Sequence, residues 1–336
     1  MSRRPLLFLA AGATLALLVA LTALNGGRFT SYAGYEQVVR TEPGRWWTLW
    51  ALPPVEVLAI LGLAVGVGAW SRRLGRPLDT RRRVYLGIGV ALLLVSVCSP
   101  LGGLAQGGIL SAHMMQHTII GAFAPLPVLL ALPRHLPEHG GRIARSGVVR
   151  VLTMPHVAFS LWFGGTLVFL IPALHHAVLD HQPLWVAQQF AFFGFGLMLW
   201  IPILERGVSA PAWFGTGLKC AYMVGVWFAG LAIANLLWFS GTAFYESHAV
   251  AAQVWGLNPL ADQANAGTVM MVTHCFLALG AVTILFFRQS REDGLAQRLV
   301  DSGVPADHVR TALRRGELDD LARGAGVALG TRAGID

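Results

Sequence analysis

Residues 110–132 read LSAHMMQHTIIGAFAPLPVLLAL. The stretch has no formally charged side chain and is long enough to cross a bilayer as one helix, at ~1.5 Å per residue. It opens with two histidines four positions apart and two methionines between them. Working outward, apolar runs of similar length recur along all but the last part of the 336 residues, of which 55% are hydrophobic and 12% charged. Backbone inside lipid must satisfy its own hydrogen bonds, which helices do within one segment. Strands of a membrane barrel would alternate apolar and polar residues, and these runs do not. The fold class expected is therefore all-α, a polytopic membrane helix bundle.

About eight spans are expected, at 6–24, 51–70, 84–101, 110–132, 156–173, 183–203, 217–239 and 263–287. The first follows Arg3 and Arg4 and is read as a retained span; a cleaved signal peptide would have a shorter apolar core and a clearer cleavage site. Glycines at 62 and 66, and at 194 and 196, suggest close helix packing. Arginine gives the orientation. The 71–83 loop carries six Arg, residues 133–150 carry four, and eight lie beyond 287. With Arg3, Arg4, Arg206 and Lys219, these leave only Arg28, Arg40 and Arg45 of the 25 basic residues for the other face. Both termini are thus expected in the cytoplasm. The +8 net charge is a topology signal, and no nucleic-acid partner is expected. Residues 1–287 make the expected bundle. Residues 288–336 make a charged cytoplasmic tail in which DHVRTALRRGELDDLARG suits an amphipathic helix. Cys98, Cys220 and Cys275 fall in or beside different spans and give no disulfide framework.

Polar side chains in a membrane are costly, so a shared depth is informative. Counted from the outer face, His113 and His117 lie roughly 5 and 10 Å into their helix and about 40° apart on its wheel. Met114 falls on the same side, whereas Met115 points away. Gln263, Gly267, Met270 and His274 make a stripe on the last span, with Gly267 leaving room for a neighbour. Glu56, Gln188, Gln189 and Asn235 lie in the same outer layer. His175 and His176 end the fifth span, His181 follows, and His248 and Asp262 lie in the loop before the last one. His135, His139 and His156 belong to the inner face. Imidazole with thioether suits copper. The candidate metal ligands are His113, Met114, His117, His175, His176, Met270 and His274. Glu56, Gln188, Gln189, Asn235, Asp262 and Gln263 would form the surrounding polar cavity. Haem held by His117 with His274, or by His113 with His175 or His176, is the competing reading. HMMQH lacks the glutamate of HExxH, and no P-loop or GxGxxG is present, so no catalytic residue is assigned.

Three stretches carry a resemblance. SPLGGLAQGGILSAHMMQH (99–117), DQANAGTVMM (262–271) and FGLMLWIPIL (195–204) resemble, in order, the signatures of the multi-span CtaG family of cytochrome c oxidase assembly factors. The likeness covers about 50–290. LWVAQQF (184–190) stands where the family carries a His and a Glu-His pair. His175-His176 replaces Leu-Tyr, and Met271 replaces Trp. The resemblance implies a non-enzymatic protein of the bacterial cytoplasmic (inner) membrane. It would assist haem–copper oxidase assembly, with copper as its cofactor and oxidase subunits or copper chaperones as partners. A b-type haem electron carrier and a copper transport or tolerance protein are the alternatives.

Overall fold

The computed structural model describes residues 39, 42–75, 77–133, 146–205, 210–211, 213–315 and 317–328. The expected first span, 6–24, lies outside them. Among the described residues there is no strand; the fold is an all-α membrane bundle. Among the described residues five helices are long and apolar enough to span: α1 (Pro54–Arg73), α4 (Leu110–Thr118) with α5 (Pro125–Ala131) as one helix Leu110–Ala131, α9 (Gln182–Leu204), α10 (Thr216–Phe239) and α12 (Pro259–Asp301). Two more candidates are bent pairs. One is α2 (Thr80–Cys98) with α3 (Pro100–Gln106), bent by 49°. The other is α7 (Pro155–Phe169) with α8 (Pro172–Asp180), bent by 74°. The remaining short helices are α6 (Gly147–Leu152), α11 (Glu246–Val254), α13 (Ala306–Arg315) and α14 (Leu318–Gly324).

Both bends have local causes. Ser99 caps α3 by accepting from the Leu101 amide at 3.3 Å, and Pro100 takes the first helical turn, where its missing N–H costs nothing. The glycines of SPLGGLAQGG turn out to be packing positions rather than slack. A Cβ on Gly102 would come within 2.8 Å of the Val97 carbonyl, and one on Gly103 within 2.7 Å of Leu49 Cβ. Pro172 starts α8 in the same way after the second bend.

The helix at 110–131 is central: 72% of its apolar window is buried, against 28–39% for the other four long helices. It is interrupted by a π-turn at Ile119–Phe123, ahead of Pro125 and Pro127. Prolines donate no backbone N–H, which leaves carbonyls in the preceding turn without a helical partner. Trp200 of α9 also reaches this turn, donating its indole N–H to Ala122 O at 2.8 Å. Gly196 and Gly121 let α9 approach: a Cβ on Gly196 would strike the Gly121 backbone and lie 2.6 Å from Pro125 Cγ. At Gly62, Gly66 and Gly194 an added Cβ meets nothing within 4 Å among the described residues, so the packing role expected there falls to Gly196 alone.

The chain divides into two compact units. The larger draws on residues up to 211 and on 228–274. The smaller comprises 212–227 and 275–336, so α10 and α12 each contribute to both. In the smaller unit α12 runs without a break past 287 to Asp301. Leu295 and Leu299 there form an apolar core with Val309 and Ala312 of α13 and Leu318 and Ala322 of α14. Arg291 approaches Asp319 at 3.5 Å.

Candidate metal centre

All of the centre lies within the larger unit. Leu110 opens α4 with no capping side chain of its own. The cap comes from 152 positions away: the Asp262 carboxylate accepts from Leu110 N at 2.8 Å, Ser111 N at 3.2 Å and Ser111 Oγ at 2.5 Å. A negative group there offsets the positive helix end and satisfies its free amides. Asp262 therefore sets the position of His113, one turn on, without reaching the metal cavity. Its neighbour Gln263 accepts from Phe244 N at 2.8 Å and donates to Leu237 O at 3.1 Å, pinning the loop before α11.

Two histidine pairs meet below this cap. His113 Nε2 and His117 Nε2 are 2.7 Å apart, and so are His175 Nε2 and His248 Nε2. Ring centroids of His113 lie 4.7 Å from His175 and 5.7 Å from His248. His113, His175 and His248 each offer a ring nitrogen within 4.8 Å of the others, and all three are buried. His248 is held by Gly108 O, 2.7 Å from its Nδ1. A carbonyl only accepts, so Nδ1 carries the proton and the Nε2 lone pair faces His175. Burial pushes His248 down to about 4, against the contrary effect of the Gly108 hydrogen bond, so the ring is neutral at pH 7. Gly108 has φ +101, which aims its carbonyl this way, and a Cβ there would sit 3.0 Å from Ala251 Cβ.

The walls fix the rings further. Phe192 stacks on His117 with centroids 4.2 Å apart, Trp185 stands at 5.3 Å from His113, and Tyr245 at 4.3 Å from His175. The Tyr245 hydroxyl donates to Leu170 O at 2.8 Å. A cavity of about 40 Å³ lies against His113, His117 and His175, lined also by Met114, Met270, Gln188 and His274. His274 Nδ1 is 2.6 Å from Met270 O, within its own helix. Gly230 makes room for this ring: a Cβ on it would lie 2.5 Å from His274 Cγ. Gly267 does the same for the helix, since a Cβ there would lie 2.8 Å from Ala234 O.

Of the seven expected ligands, His113, Met114, His117, His175, Met270 and His274 line this cavity, and His176 does not. Met115 is 37% exposed, on the opposite side of α4 as its position requires. Gln188 joins the cavity, with both amide atoms buried and lacking a hydrogen-bond partner. Glu56 and Gln189 line a different recess, and Asn235 is half-buried on α10 outside the cavity. His248 does not line the cavity but completes the cluster of three imidazoles, and sequence reasoning left it out of the candidate ligands. It lies on short α11 between spans, where no helical periodicity links it to the other histidines. A cavity of this size has room for an ion and a water or two.

The family described as cytochrome c oxidase caa3 assembly factor (Caa3_CtaG) matches residues 61–292. The chain belongs to this family. No curated protein and no solved structure matches it. The match takes in the two histidine pairs, the Asp262 cap, the Trp200 hydrogen bond and both glycine contacts that draw α9 onto the central helix. Caa3_CtaG members are named for oxidase assembly, and this chain is accordingly a helical membrane protein of an oxidase-assembly family.

Proposed function

We propose that the protein carries copper for cytochrome c oxidase assembly. It would hold the ion at His113, His175 and His248, with His117 beside them, and release it to an oxidase subunit or from a copper chaperone onward to one. The observation that carries this reading is the convergence of three buried imidazole nitrogens within 4.8 Å, one of them locked with its lone pair inward by Gly108. Neutral imidazoles favour a borderline or soft cation, and the thioethers of Met114 and Met270, in the cavity that His113 and His175 also line, favour Cu(I) over zinc. Without metal, one Nε2 of each pair carries the proton that bridges its 2.7 Å; for both Nε2 atoms to bind an ion, that ring's proton moves to its Nδ1, with no net release. Binding and release need no bond to be made or broken in a substrate, so the role is that of a carrier and not an enzyme. The basic loops favour a bacterial cytoplasmic membrane with the histidines toward the outer face.

The test is the copper content of the oxidase in a strain carrying His175→Ala with His248→Ala. Loss of oxidase copper with the apoprotein still present in the membrane is expected. Normal oxidase copper would refute the assignment, and normal oxidase with altered cellular copper would indicate transport.

A further inference from the structure

Gln188 and Gln189 are neighbours on α9 but serve different spaces. Gln188 faces the histidine cavity. Gln189 lines a larger, half-open groove of about 280 Å³ between α1, α2 and α9, together with Glu56, Ala59, Leu63, Phe190 and Phe193. We propose that this groove binds the ring of a membrane quinone or quinol, with its hydrocarbon chain leaving toward the lipid.

Gln189 is 5% exposed, and neither its amide nitrogen nor its amide oxygen has a hydrogen-bond partner. An unpaired buried amide costs ~1–3 kcal/mol for each polar atom, so a ligand that pairs with it gains accordingly. The Gln189 amide both donates and accepts, and Glu56, 4% exposed, adds a carboxyl group to the same wall. That set suits carbonyl or hydroxyl oxygens. It does not suit a phosphate head, because the lining includes no basic side chain and a carboxylate would repel the anion. Phe190 and Phe193 supply aromatic faces for a flat ring, and the other lining residues are aliphatic. Glu56 sits in the first turn of α1 and Val97 in the last turn of α2, so the polar end of the groove lies at the end of the bundle where α4 begins. From Glu56 to Leu63 the groove descends roughly 10 Å along α1, which accommodates a ring and the start of a chain. Phe190, on the lining, is 48% exposed, as an opening to the acyl region requires.

The test is saturable binding of decyl-benzoquinone to the full-length protein in detergent, by equilibrium dialysis. Saturation at a single site is expected. Gln189→Leu should weaken it roughly tenfold, the loss of about one hydrogen bond's discrimination. Ala59→Phe, which fills the groove, should abolish it, and it serves as the deciding variant if Gln189→Leu elutes as an aggregate. The His113→Ala/His117→Ala protein should bind the quinone normally, so that failure of the copper reading and failure of this one are separable. Unsaturable partitioning, or wild-type binding by both groove variants, overturns the proposal. Dodecanol competing as well as the quinone overturns it too, by assigning the groove to any long-chain hydroxyl compound.

Discussion

His248 shows how one backbone atom can orient an imidazole of the proposed copper site. Its Nδ1 proton goes to Gly108 O, and that carbonyl points correctly because Gly108 takes φ +101. Gly108→Ala places a side chain in a conformation that costs roughly 1–2 kcal/mol and presses on Ala251. The expected result is a copper affinity lowered ~10-fold or more, read by competition with a chelator, with the protein still folded. Burial also lowers the His248 pKa from 6.5 to about 4. As pH falls from about 6.5 to about 4, the unfolded chain gains a proton that the folded chain refuses. Stability present above pH 6.5 is therefore lost across that window, by up to ~3 kcal/mol, and levels off below it. Thermal melts of the metal-free protein should show this loss, and His248→Gln should reduce it. At this scale the sequence was readable where helical periodicity applied. It put His113, Met114 and His117 on one face and Met115 on the other. It could not choose between His175 and His176, because a 74° bend sets which of them turns inward.

Among elements, the family motifs become contacts between helices. Asp262 of α12 caps α4, so Asp262→Ala should free two backbone amides and cost about 0.5–2 kcal/mol. A lowered melting temperature is expected, together with weaker copper binding, because the cap also positions His113. Trp200→Phe removes the indole hydrogen bond to Ala122 O in the π-turn and should cost roughly 0.5–1.5 kcal/mol. Denaturation of the metal-loaded and metal-free forms should show the same loss, since Trp200 does not line the metal cavity. The sequence singled out these stretches without giving their roles. A carboxylate capping a helix 152 positions away leaves no local signature, and the π-turn follows from the placing of Pro125 and Pro127. Gln188 and Gln189 were similarly assigned to one polar layer. At about 100° per residue, adjacent positions on α9 must face different neighbours.

For the molecule as a whole, hydrophobic length located the candidate spans. Each of the seven expected beyond residue 50 corresponds to a long helix or a bent pair. Breaks inside two of them escaped detection because mean hydropathy is blind to a capped proline. The tail was legible as charged and helix-prone, but not as a unit built on the end of α12, because its apolar positions are spread over three short segments. Orientation is testable in a background lacking the native cysteines. Asn258→Cys should react with an impermeant maleimide in intact cells, and Ser302→Cys only after permeabilisation; the reverse pattern would invert the topology.

The most direct test of the copper site is X-ray absorption and elemental analysis of the purified, copper-loaded protein beside His248→Ala. A single bound ion with mainly nitrogen neighbours, lost or strongly weakened in the variant, is the result this arrangement of histidines requires. Equal copper with an unchanged coordination spectrum in His248→Ala would contradict it.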